Sequence, residues 1–169
     1  MTKQRTSWAW ALATFFGTGF LRPAPGTWGS LAGLLLWLVA AHWLHPSRLH
    51  LAIGTAIAAL IALLLGIPAS AIVAREAATD DPSFVVLDEV AGQWVALIGV
   101  ALIAATPRLW EWVAAFLLFR IFDILKPSPA REFDRMHSGF GIMMDDIAAG
   151  VYALVILWLA GYFLLGRPL

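Results

Sequence analysis

Five runs of apolar residues, parted by short polar stretches, dominate this chain: Trp28 to Leu44, Leu51 to Ala74, Val90 to Thr106, Leu109 to Leu125 and Asp146 to Leu165. A helix needs about 20 residues to cross the hydrocarbon of a bilayer. The pattern therefore predicts an all-α, polytopic membrane bundle of about five spans, forming one domain over residues 1–169. The first, third and fourth runs hold 17 residues each, at the lower edge of the spanning range, so the 90 to 125 region also fits a broken or re-entrant hairpin. A further apolar stretch, Ser7 to Leu21, is short, contains Thr14, Gly17, Thr18 and Gly19, and opens on Trp8 and Trp10. It is expected to be an interfacial or re-entrant helix, because amphipathic indoles seat at the headgroup level.

Composition sharpens this picture. Hydrophobic residues make up 61% of the chain and charged residues 13%, with a mean hydropathy of +0.82. Soluble domains carry about 25% charged residues, so the polar surface needed in water is missing. Eleven Lys and Arg balance eleven Asp and Glu, and no basic block occurs, which argues against a nucleic-acid partner. The absence of cysteine removes thiolate chemistry and Cys-based metal sites. Lys and Arg are retained on the cytoplasmic side of a membrane. With Ser7 to Leu21 in the interface, Lys3, Arg5, Arg22, Arg75, Arg120, Lys126, Arg131 and Arg135 share one side against Arg48, Arg108 and Arg167 on the other. The N-terminus and the loops 75–89 and 126–145 are thus expected in the cytoplasm. All the acids except Glu111 share that side, several at the mouths of apolar helices, and this concentration suggests a site.

Three segments carry it. In FRIFDILKPSP, the spacing by three of Arg120, Asp123 and Lys126 lays them along one side of a helix. An ionised group in a membrane segment costs about 2.5–3.5 kcal/mol, so this row should face a polar cavity. Asp88 and Glu89 in DPSFVVLDEVAGQW enter the third run, and Asp145 and Asp146 in GFGIMMDDIAAG open the last. Each acidic pair also has a plainer reading as a cap on a helix dipole, and Arg120 with Asp123 as a self-neutralising pair. Taken together, Asp88, Glu89, Asp123, Asp145 and Asp146 supply the oxygen ligands that a hard cation such as Mg2+ takes. Arg120 and Lys126, with Arg131 and Arg135 nearby, supply positive charge for a phosphate ester. A fourth segment, RPAPGTWGSLAG at residues 22–33, runs into the first span with Thr27 or Ser30 placed to cap it, and a helix N-terminus with free N–H groups suits an anion. It also reads as a simple interfacial turn. His137 reads either as an acid or base or, more plainly, as an exposed loop histidine. The Gly29-x3-Gly33 face suits packing within or between subunits.

No D-x-D pair, no K-x6-R-P with a later S-G-H and no D-G-x2-A-R occurs, which sets aside three familiar phosphate chemistries. PGTWGSLAG, DDPSFVVLDEVAGQW and FRIFDILKPSPAREFDRMHSGFGIMMDDIAAG resemble, in order and spacing, the motifs of the phosphatidylglycerophosphatase A family, and the likeness covers most of the chain. It implies a Mg2+-dependent, multi-pass enzyme of the bacterial inner membrane with its active site facing the cytoplasm. Its substrate would be the phospholipid phosphatidylglycerophosphate, hydrolysed to phosphatidylglycerol and phosphate in the last step of phosphatidylglycerol synthesis. On that basis Asp88, Glu89, Asp123, Asp145 and Asp146 are the candidate metal ligands, with Arg120, Lys126, Thr27 and Ser30 on the phosphate. Asp81, Glu89 and Asp123 are the candidate catalytic carboxylates, Asp81 or Glu89 orienting the attacking water. The competing class is a small ion-transporter component in which Arg120, Asp123 and Lys126 form an intramembrane relay.

Overall fold

Local chemistry explains where the helices start and stop. The computed structural model describes residues 5–104 and 107–165, so Lys3, Thr106 and Arg167 lie outside the described residues. Pro25 has its φ fixed for a first helical position and has no N–H to leave unpaired there, and it opens α2 (Pro25–Leu44). Ser47 caps α3 (Arg48–Ala77) by accepting from the His50 N–H at 3.4 Å. Between α4 (Leu87–Ile103) and α5 (Leu109–Leu125) the turn is closed by Glu111, whose Oε2 accepts from the Arg108 N–H at 2.8 Å. That bond gives the one acid at the far end of the bundle a structural role. Two short helices, α1 (Ser7–Ala13) and α6 (Ala130–Asp134), and the long α7 (Gly139–Leu165) complete the set. No strand occurs among the described residues.

The expected span count is met in part. Among the described residues, three helices are long and apolar enough to cross a membrane: α2, α3 and the Gly139–Phe163 portion of α7. The third and fourth runs form unbroken helices of 17 residues each, about 26 Å long at 1.5 Å per residue, against a hydrocarbon core of about 30 Å. α4 is also the central helix. Apart from Glu89, Trp94, Ile98 and Leu102, all of its residues are buried, and α2, α3, α5 and α7 pack around it. Large apolar side chains on α3 such as Ile53, Ile57, Leu60 and Leu64 point outward instead, as suits a lipid-facing surface.

Ser7 to Leu21 does not cross. α1 has seven residues, and positive φ at Phe15, Phe16 and Gly17 reverses the chain behind it. Ala9 and Ala13 pack on Ala69 and Val73 of α3, and Trp10 Nε1 donates to Glu76 Oε2 at 2.7 Å, pinning α1 to the end of α3.

Small residues let the long helices approach closely. Gly29 and Gly33 meet Val86 and Val90 at the start of α4, so that face packs within the chain. One such close approach is between α4 and α7. A Cβ at Gly92 would lie 2.5 Å from the Asp146 carbonyl oxygen and 2.5 Å from Phe119 Cε2, whereas one at Gly54 would meet nothing within 4 Å. Gly92→Val is therefore expected to lower stability by about 1–3 kcal/mol, read as an earlier thermal midpoint in detergent. Gly54→Ala should leave the midpoint unchanged or raise it, and equal midpoints for the two variants would show that the close approach is dispensable.

Candidate active site

The antiparallel course of the helices brings the N-termini of α2, α4 and α7 and the C-terminus of α5 to one end of the bundle. There they enclose a cavity of about 370 Å3. Asp88 and Glu89 stand in the first turn of α4. Asp145 and Asp146 lie farther into their helix than expected, because α7 begins at Gly139; they are buried in the wall of the cavity and do not cap a helix end. Arg120 and Asp123 come from the last turns of α5, and Lys126 is its left-handed C-cap. The loop after α3 adds Asp80, Asp81 and Ser83, and the segment beyond α5 adds Asp134 and His137.

One carboxylate oxygen from each of Asp88, Glu89 and Asp146 lies within 4.8 Å of the other two. Asp88 Oδ1 and Glu89 Oε2 are buried with no hydrogen-bond partner, as are both amide atoms of Gln93 one turn further along α4. Buried polar atoms are nearly always satisfied, so this cluster is arranged for something it binds. Oxygen-only donors at this separation suit a hard divalent cation.

The other two expected ligands are engaged elsewhere. Asp123 Oδ2 pairs with Arg120 Nη1 at 2.7 Å, and Asp145 Oδ2 with Lys126 Nζ at 2.7 Å. Asp145 Oδ1 accepts the Asp146 N–H at 2.9 Å, and Lys126 also pairs with Asp134. Burial lowers the proton affinity of Lys126, but its bonds to Asp134 and Asp145 outweigh this and raise it above the ordinary lysine value, so it stays cationic. Asp81 stands at the mouth. Loss of hydration raises its pKa above the ordinary value of 3.8, helped by the charges of Asp134 and Asp123 and opposed by Lys126.

The α2 segment departs from expectation. Its helix starts at Pro25 with no side-chain cap, so neither Thr27 nor Ser30 caps it. Ser30 Oγ donates back to the Gly26 carbonyl at 2.8 Å and accepts from Arg120 Nη1 at 3.4 Å, while Thr27 does not line the cavity. The residue that meets the acids is Gly26. Any Cβ there would collide with Glu89 Oε1 and approach Arg120 Nη1 to 3.3 Å. Arg131 and Arg135 are exposed and line no part of the cavity. Sequence reasoning did not place Asp134, Ser83 or Gly26 in the site. His137 is exposed, as its plainer reading had it, yet it lines the mouth and faces Asp80 at 3.9 Å.

A family model described as phosphatidylglycerophosphatase A matches residues 11–161. The chain belongs to the phosphatidylglycerophosphatase A family. It is 41% identical over 157 residues to a phosphatidylglycerophosphatase A of Haemophilus influenzae, covering 91% of this chain and 89% of that one. It is 37% identical over 153 residues to a phosphatidylglycerophosphatase A of Escherichia coli, covering 89% and 82%. A protein of Bacteroides thetaiotaomicron named as a putative phosphatidylinositol-3-phosphatase is 39% identical over 152 residues, covering 88% and 91%. No solved structure matches the chain. Membership makes this an enzyme, a lipid phosphatase, and the family match spans every segment that reaches the cavity.

The raised Asp81 pKa fixes the sign of one effect. The folded chain holds this proton more tightly than the unfolded chain, so the stability it contributes falls as pH rises through and above 3.8. Asp81→Asn should therefore raise the thermal midpoint at neutral pH, with the gain shrinking as pH approaches 3.8. A gain independent of pH would separate the effect from the carboxyl's ionisation.

Proposed function

We propose that this chain hydrolyses the terminal phosphomonoester of phosphatidylglycerophosphate, yielding phosphatidylglycerol and inorganic phosphate, the last step of phosphatidylglycerol synthesis. In this reading all five long helices cross a bacterial inner membrane, and the cavity faces the cytoplasm, the side favoured by the distribution of Lys and Arg. The observation that carries the proposal is the group of three convergent carboxyls, Asp88, Glu89 and Asp146, beside the cations Arg120 and Lys126 in one cavity. Two similar proteins bear this activity in their names.

The carboxyls of Asp88, Glu89 and Asp146 would hold Mg2+, which supplies positive charge against the phosphoryl oxygens. Arg120 and Lys126 neutralise the remaining charge and orient the ester for displacement. Asp123 and Asp145, through their ion pairs, aim those two cations. With Glu89 committed to the metal, the attacking water falls to Asp81 at the mouth, whose raised proton affinity suits a group that must accept a proton. Water adds to phosphorus and gives a proton to Asp81, the bond from phosphorus to the glycerol oxygen breaks, and that oxygen takes a proton from solvent to leave as an alcohol.

A transporter relay fits less well. Arg120 and Asp123 pair with each other at the cavity end, and Lys126 turns away toward Asp134 and Asp145, so the three groups form no file through the membrane.

The test is phosphate release by purified protein from phosphatidylglycerophosphate, with Mg2+ and after chelation. Asp146→Asn and Asp123→Asn should each lower turnover by about 100-fold or more while the protein still inserts into the membrane. Asp81→Asn should be slower by a similar factor despite its greater stability. Release that survives chelation, or near-normal rates in both Asp146→Asn and Asp123→Asn, would break the assignment. A phosphatidylinositol 3-phosphate arm, prompted by the Bacteroides relative, measures head-group preference.

A further inference from the structure

One wall of the acidic cavity is apolar, and it reaches the outer surface of the bundle. Ile124 of α5 lines the cavity beside Asp123 and Lys126, yet it is 72% exposed. Leu117 and Val113, three and seven residues before Arg120, share that side of the helix and are exposed as well. An apolar strip thus runs from the cavity mouth along α5, from Ile124 back to Val113, twelve residues with a rise of about 16 Å.

The strip borders the seam between α5 and α2, and this seam is loosely closed at the cavity end. There, among the described residues, the hydrogen bond joining the two helices is the 3.4 Å contact from Arg120 to Ser30. Deeper in the bundle Leu34 and Trp37 of α2 belong to the same apolar cluster as Ala115 and Phe116 of α5. The neighbouring helix–helix seams are closely packed. Gly29 and Gly33 bring α2 onto α4, and Gly92 and Gly150 bring α4 onto α7. Phe119 with Ala149 and Ala153 joins α5 to α7, reinforced by the Phe122–Tyr152 ring pair at 5.3 Å.

The chemistry of a phospholipid bearing a phosphomonoester selects the occupant of such a seam. Its charged head belongs among Arg120, Lys126 and the acids, but its acyl chains are too long for a cavity of about 370 Å3 that the head and the carboxylates already share, and they must remain in hydrocarbon. The molecule needs a passage that is polar at one end and opens sideways to lipid at the other. We propose that the cavity-end seam between α2 and α5 is this lateral entry, with the acyl chains of the substrate lying along Ile124, Leu117 and Val113. The inference rests on the proposed lipid phosphatase reaction and adds the route by which the substrate reaches it. It also gives Thr27 a place: three residues before Ser30 on α2, it falls on the same side of that helix.

Two substrates separate entry from chemistry: diacyl phosphatidylglycerophosphate in mixed micelles, and its deacylated, water-soluble head group. Ile124→Asp and Leu117→Asp put charge in the path of the chains. Each should lower the ratio of kcat/KM for the lipid over that for the head group by about tenfold or more, whereas Leu60→Asp, on the exposed face of α3, should leave the ratio unchanged. An unchanged ratio in both seam variants overturns the proposal. A second measurement does not depend on turnover. Phosphatidylglycerophosphate carrying a diazirine on one acyl chain is photolysed with the wild-type protein in chelator. Label on residues 113–124 should be competed by excess unlabelled phosphatidylglycerophosphate, while label on the outer face of α3, from bulk lipid, should not. Competable label found only on α3 or α7 overturns the entry route. Failure to hydrolyse either substrate, with competable label still at the seam, would overturn the proposed reaction and leave the entry standing.

Discussion

Like charges crowded into a poorly hydrated place repel one another, and that constraint organises this molecule. Asp88, Glu89 and Asp146 offer oxygens within 4.8 Å of one another, where two ionised carboxylates oppose each other by a few kcal/mol even at an effective dielectric near 20. The acids meet because rigid helices hold them together. The backbone contact between α4 and α7 at Gly92 and Gly150 has no side chain through which to relax, so Asp146 stays opposite the first turn of α4. What answers the charge is local: Arg120 against Asp123, Lys126 against Asp145 and Asp134. Among the described residues the trio forms no such ion pair, and Asp88 Oδ1 and Glu89 Oε2 are left without hydrogen-bond partners, which is the ground for the proposed metal site.

The membrane sets the second condition. Apolar helices can be packed by small residues without losing the lipid-facing character of their outer sides, and α3 and α5 show both faces. Their inner sides close on α4, while Leu60, Leu64, Leu117 and Ile121 look outward. The site lies at the end of this packing, not in its middle, because the polar residues are gathered in the first turns of α4 and α7 and the last turns of α5. In the proposed reading a lipid head reaches that level from its own leaflet, through a gap beside the cavity.

Much of this was legible in the chain. The apolar runs located every long helix, and the three quoted segments contained Asp88, Glu89, Arg120, Asp123, Lys126, Asp145 and Asp146, all of which line the cavity. Motif order sufficed because each segment lies at a helix end, and an antiparallel bundle returns alternate ends to the same side. Helix starts were less legible. Gly139 and Phe140 extend α7 upstream of its apolar run, which moves Asp145 and Asp146 from the start of the helix to its second and third turns, as buried wall residues. Pro25 starts α2 early enough to leave Thr27 and Ser30 inside the helix. Local pattern reads hydrophobicity, and a helix can begin before hydrophobicity does.

By itself, then, the sequence determined the medium, the helices and the set of charged groups available, because these depend on composition and on neighbours within a few turns. The tertiary structure decided how those groups divide. Three carboxyls converge, two of them with an oxygen left unpartnered, two more are taken up by cations, Asp134 joins Lys126 from eight residues away, and a glycine from α2 presses on Glu89. Such choices turn on ångström-scale distances between segments far apart in the chain, set by how closely the helices can pack, and no local pattern contains them.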